Sequence, residues 1–191
     1  MKLIGITGKT GSGKSTIGKL LADKLNCKYI DIDKIGHSAT YDSSISEKLI
    51  KEFGYIILDD NKNIDRKKLG NIVFSDKDKM EILTNLTWDY MQNKLDNILS
   101  QDEDYYILDW ALLPTVKYWN MCNTKVLITS DDIKRKEKIL KRDNISKEYL
   151  EKREKNTLKY SEFKYSYVFN NDYSAETLNS IVDILYNKLL K

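Results

Sequence analysis

The residues with the clearest chemical purpose form one stretch, GITGKTGSGKST, from Gly5 to Thr16. The spacing from Gly8 to Ser15 fits G-x-x-x-x-G-K-[ST], a loop whose backbone holds phosphate groups. Glycines let the backbone turn its N–H groups inward, and the helix after the loop adds unpaired N–H groups and the positive end of its dipole. We therefore predict a nucleotide phosphate site at Gly8, Gly11, Ser12, Gly13, Lys14, Ser15 and Thr16.

The last two positions of this motif have separate predicted tasks. Lys14 brings a positive charge to the outer phosphates, and the Ser15 hydroxyl is placed to ligate Mg²⁺. We expect Lys14 to be open to phosphate rather than packed. Both flanks fit the motif, because KLIGIT has the length of a buried strand and the residues after the loop repeat apolar side chains at helical spacing. The motif predicts a nucleoside triphosphate with Mg²⁺, and a glycine-rich turn without a ligand is the alternative.

A pair of carboxylates follows in the stretch YIDIDKIGH, from Tyr29 to His37. Side chains alternate along a strand, so Asp31 and Asp33 are expected to share one face at its carboxyl end, where open α/β sheets bind ligands. Phosphoryl transfer to a hydroxyl needs a group that accepts its proton. We assign that task to Asp33, which lies furthest along the predicted strand, and we assign Asp31 to a Mg²⁺-bound water. Turn-forming or helix-capping aspartates are the alternative.

Two further residues, Asp109 and His37, are candidates for the same site. Asp109 closes the apolar run YYILD, which has the general shape of a strand whose terminal carboxylate holds Mg²⁺ or its water. A plain strand end is the alternative interpretation. His37 is the one histidine of the chain, and it is either a structural hydrogen-bonding residue or a contact to substrate.

Five short apolar runs alternate with helical patterns along the chain. The runs are KLIGIT, CKYIDI, YYILDW, TKVLITS and YSYVFNN. This alternation predicts an α/β fold with a five-stranded parallel sheet flanked by helices. We expect residues 1–33, 105–130 and 165–191 to form a nucleotide-binding core, and residues 34–104 to form a helical acceptor region. The charged segment 131–164 is either a solvated pair of helices or a mobile lid that brings Arg or Lys over the phosphate.

Composition excludes several classes of protein. The chain has 191 residues with 32 Lys and Arg against 29 Asp and Glu, so the net charge of +3 gives no reason to invoke nucleic acid or membrane. We expect no signal peptide and a monomer or small homo-oligomer in the cytoplasm. Cys27 and Cys122 match no metal-binding spacing and are expected to be reduced.

The sequence resembles the dephospho-CoA kinase family in three stretches: GITGKTGSGKST, IDIDKIGH, and FGYIILDDNKNIDRKKLGNIVFSD from Phe53 to Asp76. The resemblance implies a P-loop kinase fold with a helical CoA region and a lid, and a sheet in which the third strand lies between the first and the second. It implies transfer of the γ-phosphate of ATP to the ribose 3′-hydroxyl of dephospho-CoA, in coenzyme A biosynthesis. The residues it implies are Lys14 and Ser15 for ATP and Mg²⁺, Asp33 as base, Arg142 as lid arginine, and Thr7, Asp31, His37, Arg66, Leu112 and Leu113 as acceptor contacts.

Departures from the family pattern lie towards the acceptor and the lid. Trp88 and Asp89 stand where the family usually has His-Pro, while Ala111 and Thr115 replace a usual proline and glutamate. The lid also lacks the usual glutamine. Two alternatives therefore stay open, namely a nucleoside or nucleotide kinase with the same core and a non-catalytic nucleotide-binding protein. The second Asp of DID disfavours the non-catalytic alternative, because a binding module needs no base there.

Overall fold

Five parallel strands form the central sheet of the protein. The structure is a computed structural model that describes residues 1–74, 76–155 and 157–190. The strands are β1 Lys2–Thr7, β2 Lys28–Asp31, β3 Tyr105–Asp109, β4 Thr124–Thr129 and β5 Tyr167–Asn170. Their order is β2-β3-β1-β4-β5, with every pair parallel. This confirms the predicted sheet, including the third strand between the first and the second.

Helices occupy the segments between the strands, as the apolar spacing predicted. They are α1 Lys14–Leu25, α2 Ile32–Ala39, α3 Ser43–Phe53, α4 Arg66–Val73, α5 Lys77–Leu99, α6 Lys117–Met121, α7 Asp132–Asp143, α8 Lys147–Glu154 and α9 Ala175–Leu189. Three of these are preceded by an N-cap aspartate whose side chain accepts from two backbone N–H groups of the first turn, namely Asp42, Asp65 and Asp76. Such caps satisfy donors that a helix start otherwise leaves unpaired.

The described residues divide into two compact units. The first contains residues 1–31, 102–146 and 157–190, and the second contains 32–74, 76–101 and 147–155. The first unit buries β1, β3 and β4 under α1 and α9, and the predicted stripe of α9 is buried at Ile181, Val182, Leu185 and Leu189. The second has its own core, which includes Ile45, Leu49, Ile57, Leu69 and Val73. The predicted lid segment is thus divided, because α7 belongs to the first unit and α8 to the second.

Two glycines of the phosphate-binding loop are required by local geometry. Gly8 has φ +146° and a Cβ there would collide with the carbonyl of Ile128, while Gly13 has φ +90° and a Cβ would collide with the side chain of Asn171. Residues with a side chain rarely adopt these dihedral angles, so glycine lets the chain turn sharply between β1 and α1.

The end of β2 differs from the prediction. We expected Asp33 on the same strand face as Asp31, but β2 ends at Asp31 and α2 begins at Ile32. Asp31 pairs with Asp109, the last residue of β3, so the ladder that would extend β2 stops there. Asp33 instead lies in the first turn of α2, where a negative charge is favoured by the helix dipole.

Both cysteines are free thiols, as expected. Cys27 precedes β2 and Cys122 precedes β4, and the strand order separates those strands by three positions. Burial raises the pKa of the Cys27 thiol to about 11 and that of Cys122 to about 12. Over the residues that the structure covers, no helix is long and apolar enough to cross a membrane.

Candidate active site

Two carboxylates meet at the carboxyl end of the sheet in the first unit. Asp31 of β2 and Asp109 of β3 are partners in the parallel ladder. Asp109 is buried, with 3% of its surface exposed, and its Oδ2 accepts a 2.5 Å hydrogen bond from the Tyr29 hydroxyl. Its Oδ1 is buried without a hydrogen-bond partner among the described residues. A buried acceptor left in this way marks a place for a ligand or ion.

The charges around Asp109 oppose one another. Burial raises the pKa of the Asp109 carboxyl above its ordinary value, and the Asp31 charge acts in the same direction. The Lys14 charge, the nearby Ser15 hydroxyl and the hydrogen bond from Tyr29 lower the same pKa. Burial, and then the Asp109 charge, raise the pKa of the Tyr29 phenol, so Tyr29 keeps its proton and donates a hydrogen bond to Asp109 Oδ2. An additional cation beside this carboxylate would favour its ionised form.

The phosphate-binding loop itself is largely enclosed. Lys14 is only 6% exposed, contrary to the expectation of an open lysine, because its ammonium lies within electrostatic reach of buried Asp109 instead of extending into water. Ser12 is 1% exposed, and its Oγ has no hydrogen-bond partner within the described ranges. Ser15 is half-buried and Thr16 is exposed. The loop therefore offers buried polar atoms to an anion.

The donors near Ser15 fit a Mg²⁺ ion held mainly by nucleotide and water. Asp109 Oδ1 is a buried oxygen without a protein partner, and the Ser15 hydroxyl lies close enough to lower the pKa of the same carboxyl. Nowhere in the described part of the chain do three or more His, Cys, Asp or Glu side chains form a metal-binding group. Mg²⁺ commonly uses one or two carboxylates plus phosphates and waters, so this donor set is suited to it.

A second pair of predicted site residues meets in the second unit. Arg66, the first residue of α4, places its Nη2 2.8 Å from Nε2 of His37 on α2. Arginine has only donors, so the His37 Nε2 accepts and the ring carries its proton on Nδ1. The sequence predicted both as acceptor contacts but not their pairing. Both side chains are exposed, so the pair faces solvent where an anionic ligand can reach it.

The remaining predicted residues fall into two groups. Thr7 and Leu113 are fully buried, and the Thr7 hydroxyl donates to the Ala111 carbonyl at 3.0 Å. Both pack inside the first unit, and their roles as acceptor contacts stay predictions. Leu112 is 44% exposed, and Arg142 donates two hydrogen bonds to the adjacent Asp143 carboxylate, at 2.6 and 2.9 Å. Their predicted roles, like that of exposed Asp33, stay predictions.

Sequence reasoning missed four residues that surround the loop. They are Tyr29, Arg135, Asn171 and Tyr173. Tyr29 precedes Asp31 by two positions, and residues two apart on a strand share one face. The sequence could therefore have indicated that Tyr29 lies beside the carboxylates. Arg135 lies in a run of charged residues that predicted solvated helix, and only its 1% exposure distinguishes it from its neighbours.

Comparisons with known proteins agree along almost the whole chain. A family model described as dephospho-CoA kinase matches residues 2–177. A dephospho-CoA kinase of Aquifex aeolicus is 34% identical over 197 residues, covering 100% of this chain and 99% of that protein. One of Fusobacterium nucleatum is 38% identical over 151 residues, which is 78% of each chain. A solved dephospho-CoA kinase of Campylobacter jejuni is 26% identical with a TM-score of 0.62, covering 97% of this chain and 96% of that one.

Proposed function

The chain belongs to the dephospho-CoA kinase family, and from that membership we propose that it transfers the γ-phosphate of ATP to the ribose 3′-hydroxyl of dephospho-CoA. The family, the kinase class of activity and the P-loop kinase fold predicted from the sequence are thereby confirmed. The observation that carries the proposal beyond the family is the pairing of Asp31 with buried Asp109 next to the Lys14 charge. This arrangement supports binding of a triphosphate with a divalent cation.

The residues of the first unit have proposed tasks around the nucleotide. Loop N–H groups and the Lys14 ammonium hold the phosphates and stabilise charge that moves onto the leaving group. Ser15 and Asp109 would hold Mg²⁺, with Asp31 bonded to one of its waters. When bound, the ion neutralises charge on the outer phosphates. Tyr29 keeps Asp109 in place by donating to Oδ2, which leaves Oδ1 for the ion or its water.

The acceptor is assigned to residues of the second unit and to Leu112. Arg66 binds an anionic group of dephospho-CoA, and His37 orients its guanidinium by accepting from Nη2. Asp33 accepts the proton of the attacking 3′-hydroxyl, and Arg142 neutralises the transferring phosphoryl group. Trp88 and Asp89 distinguish this chain from the usual family pattern, so we expect a raised KM for the acceptor rather than loss of activity.

An acceptor panel tests this function. Purified protein with MgATP is offered dephospho-CoA beside nucleosides and nucleoside monophosphates, and each product is measured by mass. We expect a product heavier by one phosphoryl group from dephospho-CoA alone. Lys14→Met is the matched control, because it keeps the stem of this buried side chain while removing its charge, and it should be inactive. Turnover of a nucleoside or nucleotide instead, or ATP binding without any product, would contradict the proposal.

The cellular setting belongs to the same proposal. Two cysteines that form no disulfide agree with a reducing compartment such as the cytoplasm, which is where we place the protein. We expect the protein to act on its small-molecule substrate as a monomer or a small homo-oligomer. Light scattering of the purified protein measures this oligomeric state directly.

A further inference from the structure

Three consecutive carbonyl groups of the phosphate-binding loop are held from outside the loop. The carbonyls of residues 10, 11 and 12 accept, in that order, from Arg135 Nη1 at 3.0 Å, the Tyr173 hydroxyl at 2.9 Å and Asn171 Nδ2 at 2.8 Å. The three donors come from α7 and from the segment between β5 and α9. Each is far from the loop in sequence, so the loop conformation depends on tertiary contacts.

We propose that Arg135, Asn171 and Tyr173, here called the loop brace, are positioning residues that set the loop to receive a triphosphate. In a trans peptide the C=O and the following N–H point in opposite directions. Holding the carbonyl of Thr10 outward therefore turns the N–H of Gly11 inward, and holding that of Ser12 does the same for Gly13. These two inward N–H groups line an anion-binding concavity. The Ser12 N–H between them donates to the Lys9 carbonyl at 3.1 Å, so the Gly11 carbonyl that Tyr173 holds fixes the turn that joins the two donors. The inference rests on the proposed binding of MgATP and does not depend on the acceptor.

The Arg135 end of the brace is held firmly. Its side chain is 1% exposed, and its Nε donates to Asp132 Oδ1 at 3.1 Å. Lys9, itself in the loop, donates to the same carboxylate at 3.1 Å. Buried charges persist in proteins when they are paired and hydrogen-bonded, and Arg135 has both kinds of partner. These contacts direct the guanidinium toward the carbonyl of Thr10.

The Tyr173 end is held by two other contacts. Lys138 Nζ lies 4.6 Å from the centre of the Tyr173 ring, a distance typical of a cation–π interaction. Asn171 contacts both Tyr173 and the loop. Its Oδ1 accepts from the Tyr173 backbone N–H at 2.9 Å, and its Nδ2 donates to the Ser12 carbonyl. Asn171 is 0% exposed, so these bonds do not compete with water.

One face of α7 makes most of these contacts. Arg135 and Lys138 are three positions apart, and Ile139 follows at four, so all three lie on the same side of the helix. A Cβ at Gly11 would lie 2.7 Å from Ile139 Cγ1, which shows how closely α7 approaches the loop. The first part of the predicted lid is therefore joined to the nucleotide site, and we infer that α7 and the loop respond to triphosphate together.

Tyr173→Phe tests the brace by removing a single oxygen while keeping the ring under Lys138. Tyr105→Phe is the matched control, because the Tyr105 hydroxyl also donates to a backbone carbonyl, that of Leu189 at 3.2 Å, from the opposite end of the sheet. Arg135→Lys is the second test variant. For each protein we would measure Kd for MgATP and for inorganic tripolyphosphate by calorimetry, together with Tm.

We expect Tyr173→Phe to raise both Kd values by ~2- to 10-fold, the range expected for one hydrogen bond, while Tyr105→Phe leaves them within twofold. The double variant Tyr173→Phe with Arg135→Lys should lose less affinity than the product of the single losses, because both act on one loop.

Three outcomes would overturn the inference. They are unchanged Kd values in Tyr173→Phe and Arg135→Lys, an equal loss in Tyr105→Phe, and a loss confined to ATP that spares tripolyphosphate, which would indicate contact with the base. Wild-type protein that binds neither ligand would overturn the proposed function as well. Wild-type protein that binds MgATP but does not phosphorylate dephospho-CoA would remove the acceptor proposal and leave the brace in place.

Discussion

Asp31 and Asp109 occupy paired positions in neighbouring parallel strands, so two carboxylates end adjacent strands at one edge of the sheet. Neighbouring strands lie about 4.8 Å apart, a separation at which two negative charges repel strongly when water is excluded. The Asp31 charge indeed raises the pKa of Asp109, in addition to the larger effect of burial. The protein tolerates this repulsion at the place where the proposed function requires a cation.

Asp109→Asn should increase stability and reduce activity. Because the folded-state pKa of Asp109 is raised, the folded protein binds more protons than the unfolded chain above the ordinary value of 3.8. The contribution of Asp109 to the free energy of unfolding is therefore fully present below about pH 4, and it is lost as the pH rises through the pKa of the folded state. Asparagine still accepts from Tyr29 but carries no charge, so the variant should melt higher than wild type at pH 7.

Thermal unfolding between pH 3.5 and 8 measures this difference. The gain in Tm should shrink towards pH 4. Each 1 kcal/mol gained in the free energy of unfolding should raise Tm by ~2–4 °C in a chain of this length. The kcat should fall by about 10- to 100-fold, as for groups that orient a metal and its waters. A lower Tm at pH 7 together with unchanged kcat would contradict the assigned role of Asp109.

Asp33→Asn should lower kcat more than Asp31→Asn does. A positioned general base contributes ~10²- to 10⁴-fold, whereas a partner of metal-bound water contributes less. Single-turnover kinetics at saturating MgATP and dephospho-CoA separate the chemical step from binding. The ATP Kd should stay near the wild-type value in Asp33→Asn. The reverse ranking of the two variants would move the base to Asp31, the carboxylate that remains on the strand.

The His37–Arg66 pair should act on the acceptor and not on ATP. His37→Leu removes the acceptor atom for Arg66 Nη2, while His37→Gln retains an oxygen that can replace it. We expect the KM for dephospho-CoA to rise by ~3- to 10-fold in the Leu variant and less in the Gln variant, with the KM for ATP unchanged. Arg66→Gln should have a larger effect than Lys67→Gln, its exposed neighbour. Equal effects of Arg66→Gln and Lys67→Gln would show that Arg66 contributes only its positive charge and makes no specific contact with the acceptor.

Much of the nucleotide site could be predicted because its signals are local. The spacing from Gly8 to Ser15 depends only on a short loop between a strand and a helix, and both flanks have their own periodicity. The end of β2 could not be predicted in this way, since it is set by pairing with β3, which stops at Asp109. Asp33 therefore continues the alternation DID in sequence but belongs to a helix in the structure.

The loop brace shows a second limit of sequence reasoning. Arg135 stands among lysines and glutamates, and a charged helix predicts solvent exposure for all of them. Its burial follows from the approach of α7 to the loop, which only the folded chain determines. Asn171 and Tyr173 likewise follow a strand as ordinary turn residues, and neither their types nor their spacing indicates a bond to the loop between β1 and α1.

The position of the transferred phosphate tests the central claim most directly. Wild-type protein with MgATP and dephospho-CoA should yield a product whose new phosphate is on the ribose 3′-hydroxyl, identified by phosphorus and proton NMR against authentic coenzyme A. Product should appear in equal amount to the ADP formed, and Lys14→Met should give neither. Phosphate at another hydroxyl, or ADP formed without a phosphorylated acceptor, would contradict the account.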